Sequence, residues 1–277
     1  MSEPVSVVPD APPEARYTID GGLAGMSRLD ILAEIMWPTS AALLAAAGVP
    51  VGARCLDLGC GGGHISVELA GLAGPTGSVV GVDIDAEIID LARAAAAACD
   101  LGNLEFRLGT ADDFGGGPYD LGYVRFLLSH VADPQRVVSG LAAVIPPGGK
   151  VIVEDTDFTG AFCFPRSDAY ARSVQLYQET VRRRGGNADI GPELPALLRT
   201  AGLEDVQVRA VQPVSLDGGA KAMCVVSLER TATAIVEEGI ASAEEVAAVL
   251  AELRVLAADR TTLMSMPRIV QSWGVQR

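Results

Sequence analysis

The stretch Cys55-Leu56-Asp57-Leu58-Gly59-Cys60-Gly61-Gly62-Gly63-His64 sets an acid and then glycine at 59, 61 and 63 at the end of a short apolar run. Glycine adopts dihedrals that a Cβ forbids and lets a ligand come close to the backbone. A helix that follows such a turn points its first N–H groups at whatever the turn holds. A tight structural loop would use the same letters, so the turn alone decides little. Further acids lie at useful distances. Val79-Val80-Gly81-Val82-Asp83 ends a second apolar run in a carboxylate. It comes about 20 residues past the glycines, the separation at which an acid accepts both hydroxyls of a ribose. Ala111-Asp112 follows a third run, where an acid and a backbone N–H can read an adenine edge, and Tyr119-Asp120 opens a fourth. Singly, each is an ordinary solvated turn acid; in this order they describe one site.

In this order the residues resemble the class I S-adenosylmethionine-dependent methyltransferases, from about Pro50 to Asp157 and more weakly to the C-terminus. The family's first motif, hydrophobic-D-hydrophobic-G-x-G-x-G, corresponds to Leu56-Asp57-Leu58-Gly59-Cys60-Gly61-Gly62-Gly63. The resemblance implies S-adenosylmethionine as cofactor, S-adenosylhomocysteine as product and a Rossmann-like sheet of seven strands. It implies Gly59 and Gly61 at the methionine part of the cofactor, Asp83 on the ribose and Ile84 beside the adenine, with Asp57 counted among the cofactor-binding residues. Where the family often has G-D-A, this chain has Gly109-Thr110-Ala111. The adenine contact therefore passes to Asp112 with the backbone of Ala111. Arg125, at the end of the fourth strand, is counted with the cofactor-binding residues. Arg16-Tyr17 and Arg28-Leu29 look like the lead helix of methyltransferases that act on small molecules. There Tyr17 would pack on the methionine chain and Arg28 would pair with its carboxylate; ordinary surface packing is the alternative for both.

Methyl transfer from a sulfonium is an in-line displacement of a good leaving group. Alignment alone can then supply much of the rate, on the order of 7–11 kcal/mol in favourable cases. A base is needed only if the acceptor still holds its proton. His130, just after the fourth strand, is the candidate base, with a helix-end histidine bonded to backbone as the plainer reading. Asp157, in Glu154-Asp155-Thr156-Asp157 at the end of the fifth strand, is the candidate for orienting an acceptor hydroxyl or amine. With two histidines and five scattered cysteines never in CxxC spacing, no metal site is expected.

The elements that must position these residues follow from periodicity. Met26 to Ala47 reads as two helical pieces broken at Pro38. Short apolar strands at Cys55–Leu58, Ser78–Asp83, Leu104–Leu108, Tyr119–Phe126 and Lys150–Glu154 alternate with helices at Ile65–Leu72, Ala86–Ala98 and Pro134–Val144. Helices over Asp168–Arg184 and Pro192–Ala201, a strand at Asp205–Val211, a helix opened by the capping box Ser242-Ala243-Glu244-Glu245 and a last strand over Leu263–Ser272 complete the reading. Arg182-Arg183-Arg184 reads as a solvated helix end. The alternation predicts an α/β fold with a doubly wound, mostly parallel sheet. Residues 1–15 read as a flexible leader and 16–277 as one domain, with lead helices over 16–48. Helical insertions over 157–204 and 213–262 are expected to form a substrate cap.

The whole chain has 277 residues, 49% hydrophobic, and a formal charge of −14. That charge argues against nucleic acid as a partner. No apolar run reaches the roughly 18 to 20 uninterrupted residues of a membrane span, and the first residues lack the pattern of a signal peptide. A cytoplasmic location is expected, with a small-molecule substrate, no membrane partner and the oligomeric state open, a homodimer included. The alanine and glycine content is compatible with the secondary metabolism of a high-GC bacterium. Two other function classes compete. One is a protein that binds S-adenosylmethionine without transferring its methyl; the other is an NAD-dependent oxidoreductase. The latter's G-x-G-x-x-G fingerprint, counted from Gly59, meets His64 at the third glycine and fails.

Overall fold

The computed structural model describes residues 22–99 and 101–277. Tyr17 and the 1–15 leader lie outside the described residues. Along the chain α1 (Gly22–Ala47) leads into β1 (Arg54–Leu58), followed by α2 (His64–Ala73), β2 (Ser78–Asp83), α3 (Ala86–Ala97) and β3 (Leu104–Leu108). Then come β4 (Leu121–Arg125), α4 (Pro134–Ala143), β5 (Lys150–Asp157), β6 (Cys163–Phe164), α5 (Asp168–Arg183) and α6 (Leu194–Thr200). The last elements are β7 (Glu204–Val211), β8 (Val214–Ser215), α7 (Gly219–Glu237), α8 (Ala243–Ala258), β9 (Leu263–Ser265) and β10 (Arg268–Val275).

Seven strands form one sheet in the order β3-β2-β1-β4-β5-β10-β7. β1 pairs in parallel with both β2 and β4, and only β10 runs antiparallel to its neighbours β5 and β7. The order reverses between β1 and β4, so the crevice at their C-terminal ends is the place where such a sheet binds ligands. The middle strands are buried on both faces, which is why they read as nearly continuous apolar runs. On one face Val138, Leu141, Leu194 and Leu198 pack against Leu56, Val124 and Val153. On the other, Leu43, Leu44 and Leu69 pack against Cys55, Tyr123 and Ile152. A fully buried leucine contributes about 1.5–3 kcal/mol, so these clusters hold the strand ends in place. Helix starts are marked by side-chain caps: Asp85 for α3, Asp133 for α4, Ser167 for α5 and Ser242 for α8.

Three expectations are corrected. The front of the chain is one helix, with Pro38 inside it. Met36 on one side of the proline and Ser40, Leu43 and Leu44 on the other are all buried, and this packing outweighs the one backbone hydrogen bond that proline removes. By length and composition Gly25–Ala47 would also be apolar enough to cross a membrane. Its buried face lies in the two clusters that join it to the sheet and to α7. Second, the run Leu263–Ser272 is split: β9 joins β6 and β8 in a separate three-stranded sheet, and β10 enters the main sheet after Met266-Pro267. Third, α6 belongs to the core under the main sheet through Leu194 and Leu198, not to a cap. The cap is built from α5, α7, α8 and the small sheet around Tyr170, Leu176, Leu228, Leu253 and Met264.

Candidate active site

A cavity of about 990 Å³ opens at the C-terminal ends of β1, β2 and β4 and runs under α1 into the cap. Its floor is the glycine turn. Gly59, Gly61 and Gly63 take φ of +75°, +50° and +79°, the left-handed region that disfavours every residue with a Cβ. A side chain at Gly59 would meet Leu127 at 3.2 Å, one at Gly61 would meet Leu29 at 3.2 Å, and one at Gly63 would meet Phe106 at 2.5 Å. The turn is held from below by its own N–H groups: Gly59 and Cys60 donate to Val82 O at 2.8 and 3.0 Å, and Gly61 donates to Asp83 Oδ2 at 2.9 Å. With these donors engaged, the turn offers a bare backbone surface.

Asp57 does not line this cavity, which corrects its expected place at the cofactor. It is 2% exposed and accepts the Ser66 hydroxyl at 2.6 Å, tying the end of β1 to α2 beneath the turn. Burial pushes its carboxyl up to about 6 against the pull of that hydrogen bond. Asp83, by contrast, lines the cavity at the tip of β2. Its two oxygens accept from Gly61 N and, at 3.1 Å, from Asp85 N, which orients the carboxylate and leaves each oxygen a second lone pair. Burial raises its carboxyl above the ordinary value. Ile84 beside it is 57% exposed on the cavity lip, an apolar surface suited to a flat ring. Ala111 and Asp112 line the same end, with Asp112 paired to Arg136 at 3.1 Å.

α1 closes the top of this half. Arg28 lines the cavity, and its Nε is buried with no hydrogen-bond partner among the described residues. Arg125 also lines it, donating to Ser40 Oγ at 3.3 Å. Ser40 in turn donates to Glu154 Oε1 at 2.9 Å, and Tyr123 and Gln271 bond to the same carboxylate. This buried network fastens α1 across the sheet and fixes the Arg125 guanidinium.

The structure also places His130 on the cavity wall. Burial, and then the nearby Arg28 cation, push its imidazole down to about 3, so it is neutral near pH 7 and a feeble base. Asp155, just below, is pushed up to about 6 by burial and accepts from Ser129 N at 3.0 Å, pinning the segment that carries His130. Asp157 is corrected: it does not line the cavity. Its carboxylate caps the turn at Thr159 and pairs with Arg268. Burial would raise it, but Thr159 and Arg268 outweigh burial and hold it low. No group of three metal-ligating side chains is found among the described residues.

The far half of the cavity was not read from the sequence. Phe126 lines it with a left-handed φ of 55°, unusual for a bulky residue and met most often at functional sites. Phe158 and Tyr177 stack with ring centroids 4.7 Å apart. The signal was present as a second periodicity: Tyr170, Ser173, Val174 and Tyr177 fall on one face of α5, and Met223, Cys224, Ser227 and Leu228 on one face of α7. Arg184, expected as a solvated helix end, is 10% exposed, lines the cavity and pairs with Glu237 and Glu238 at 3.6 and 3.3 Å.

Comparison with known proteins agrees with this fold. Residues 51–187 match the family described as a methyltransferase domain. The chain is 31% identical over 173 residues to a ubiquinone biosynthesis O-methyltransferase of Xanthomonas axonopodis pv. citri, covering 59% of this chain and 69% of that one. It is 30% identical over 177 residues to a demethylmenaquinone methyltransferase of Bacillus licheniformis, covering 57% and 74%. The crystal structure of a putative methyltransferase from Bacillus halodurans shares the fold, with a TM-score of 0.58 at 18% identity over 85% of this chain and 97% of that one. The parallel sheet with its glycine turn, the carboxylate at the tip of β2 and these similarities place the chain in the class I S-adenosylmethionine-dependent methyltransferase family, enzymes that take their methyl group from that cofactor.

Proposed function

We propose that this enzyme methylates a small organic acceptor held in the cap, and that the loops after β1, β2, β3 and β4 hold the cofactor. One observation carries the reading: Asp83 and Ile84 at one end and Phe158 and Tyr177 at the other line a single continuous cavity. The relatives named above are called after ubiquinone biosynthesis and demethylmenaquinone, which supports an organic molecule, not a polymer, as the acceptor.

In this reading Asp83 accepts the ribose hydroxyls, Ile84 covers the adenine, and Asp112 with the backbone of Ala111 meets its edge. Gly59 and Gly61 let the methionine chain lie against the turn, and Arg28 with Arg125 supplies the cations for its carboxylate. The buried Nε of Arg28 and the bare glycine surface are what such a group would occupy. When bound, S-adenosylmethionine supplies a methyl group activated on a sulfonium sulfur. The protein's contribution is alignment and exclusion of water by α1 and the cap. Tyr17 falls outside the described residues; a packing role on the methionine chain remains part of the proposal.

Calorimetric titration with S-adenosylmethionine, S-adenosylhomocysteine and NADH tests the cofactor assignment. Binding of the first two and none of NADH is the expected result. Binding of NADH alone would overturn it. Cofactor binding without methylation of any phenol, enol or amine would point to a binding protein instead.

A further inference from the structure

We propose that the outward face of the small sheet β6-β9-β8 is an interface with a second copy of this chain, packed sheet against sheet about a two-fold axis.

Antiparallel sheets that meet water on one face alternate apolar inside with polar outside. The small sheet departs from that pattern. Its inward residues, Cys163 on β6 and Met264 on β9, pack into the cap cluster. Its outward residues are apolar as well. Phe164 pairs with Leu263, and continuing the register from Ser215 beside Met264 sets Leu216 on the other side of Leu263. That row of three crosses the whole sheet. Phe162 and Val214 each stand two residues before a member of the row, so they share its face. Phe162, Phe164, Val214 and Leu216 are 41%, 70%, 48% and 52% exposed. Single exposed apolar side chains are ordinary, but four together on so short a sheet mark a contact surface.

The charges around this face select its occupant. Arg166 and Asp168 follow β6 and lie 3.9 Å apart; Arg260, before β9, and Asp217, after β8, pair at 2.6 Å. β6 and β8 both run toward the end of the sheet at which β9 begins. All four charges therefore gather at that end, one pair beside β6 and the other beside β8. Rotate a second copy by a half turn about an axis parallel to β9, and its β8 lies over the β6 of the first. Arg166 then faces Asp217 of the second copy and Asp168 faces its Arg260, twice over by symmetry. An axis across the strands would carry the charged ends apart.

Two arginines and two aspartates cancel, which matters in a chain of formal charge −14. Copies repel one another over most of their surface and meet here on a neutral rim. An anionic lipid surface finds no surplus of positive charge in these pairs. Sheets stacked face to face lie about 10 Å apart with interdigitated side chains, a gap that Phe164 and Leu216 fill from both sides. β9 ends in Ser265, and Ser265 and Met266 line the cavity, so the second copy backs the wall of its far half.

Sedimentation velocity of the full chain over a micromolar concentration range tests the proposal. The expected result is a dimer that dissociates on dilution. Phe164→Ser should raise its dissociation constant about a hundredfold, because a two-fold interface loses the side chain twice. Asp217→Arg should weaken the dimer about tenfold. Adding Arg166→Asp should then restore it, since each facing pair again joins opposite charges. That rescue is read on exposed residues and does not depend on the Phe164 variant folding. A wild-type chain that stays monomeric throughout the range would overturn the proposal. So would a dimer indifferent to both Phe164→Ser and Asp217→Arg, whose interface lies elsewhere. The proposal also fails if the chain is monomeric and pellets with phosphatidylglycerol vesicles in a way that Phe164→Ser abolishes; the face would then belong to a membrane.

Discussion

The floor and the cap of the cavity are built in different ways. The floor is nearly contiguous in sequence: Gly59 to Gly63 and Asp83 to Asp85 act through backbone conformation and one oriented carboxylate. The cap takes single side chains from α5, α7 and the 3₁₀ turn after β5, none of which needs an unusual backbone. A floor made of backbone tolerates little, because a Cβ at Gly59, Gly61 or Gly63 crowds Leu127, Leu29 or Phe106 and strains the chain. A wall made of side chains can change its shape and charge one residue at a time while the floor is left intact.

The contrast can be broken by experiment. The largest effect is expected at Gly63→Val, where a left-handed φ and a Cβ 2.5 Å from Phe106 coincide. Conformational cost and overpacking together come to about 3 kcal/mol. Thermal unfolding should show Tm lower by several degrees, and an unchanged Tm would mean the floor is more plastic than its geometry indicates. Next is Asp83→Ala, which should weaken S-adenosylhomocysteine binding by about 1.5–3 kcal/mol. Wild-type affinity in the calorimeter would remove the ribose from this end.

Tyr177→Ala should do the reverse, raising the acceptor KM about tenfold through lost stacking, worth roughly 0.5–1.5 kcal/mol beyond its buried area. Cofactor affinity should stay the same; a parallel loss there would show that floor and cap are coupled. The smallest effect concerns His130. Its imidazole is held near 3 in the folded chain, against about 6.5 when unfolded. The unfolded chain therefore takes up a proton first as pH falls. The stability that depends on a neutral His130 is whole above about 6.5 and drains away toward 3. At pH 5.5 this is worth about 1.4 kcal/mol, and His130→Gln should abolish it. Urea unfolding of both proteins at pH 5.5 and 7.5 checks this; parallel slopes would place the imidazole in solvent.

The alternation of strands and helices, the parallel order and the glycine turn could be read directly, because each depends on residues close in the chain. Asp83 stands out by its distance from that turn, Ile84 by the family resemblance, and Ala111 and Asp112 by their place after the third strand; the structure brings all four to the same cavity. Asp57 and Asp157 show the limit of such reading. Both stand at the ligand-bearing ends of strands, yet one is buried on Ser66 and the other is paired with Arg268, 111 residues later in the chain. Pro38 misled for a similar reason: it lowers local helix propensity, while the clusters around Met36 and Leu43 that keep α1 whole come from distant strands and helices.

The sequence by itself determined which backbone could bend where, and so the β–α order, the bare turn after β1 and the acid after β2. These are local preferences that travel with the chain. Only the tertiary structure decided which side chains share a cavity and what charge each bears there. Arg184 became a cavity wall and His130 a neutral imidazole because burial and neighbouring charges depend on segments far apart in sequence.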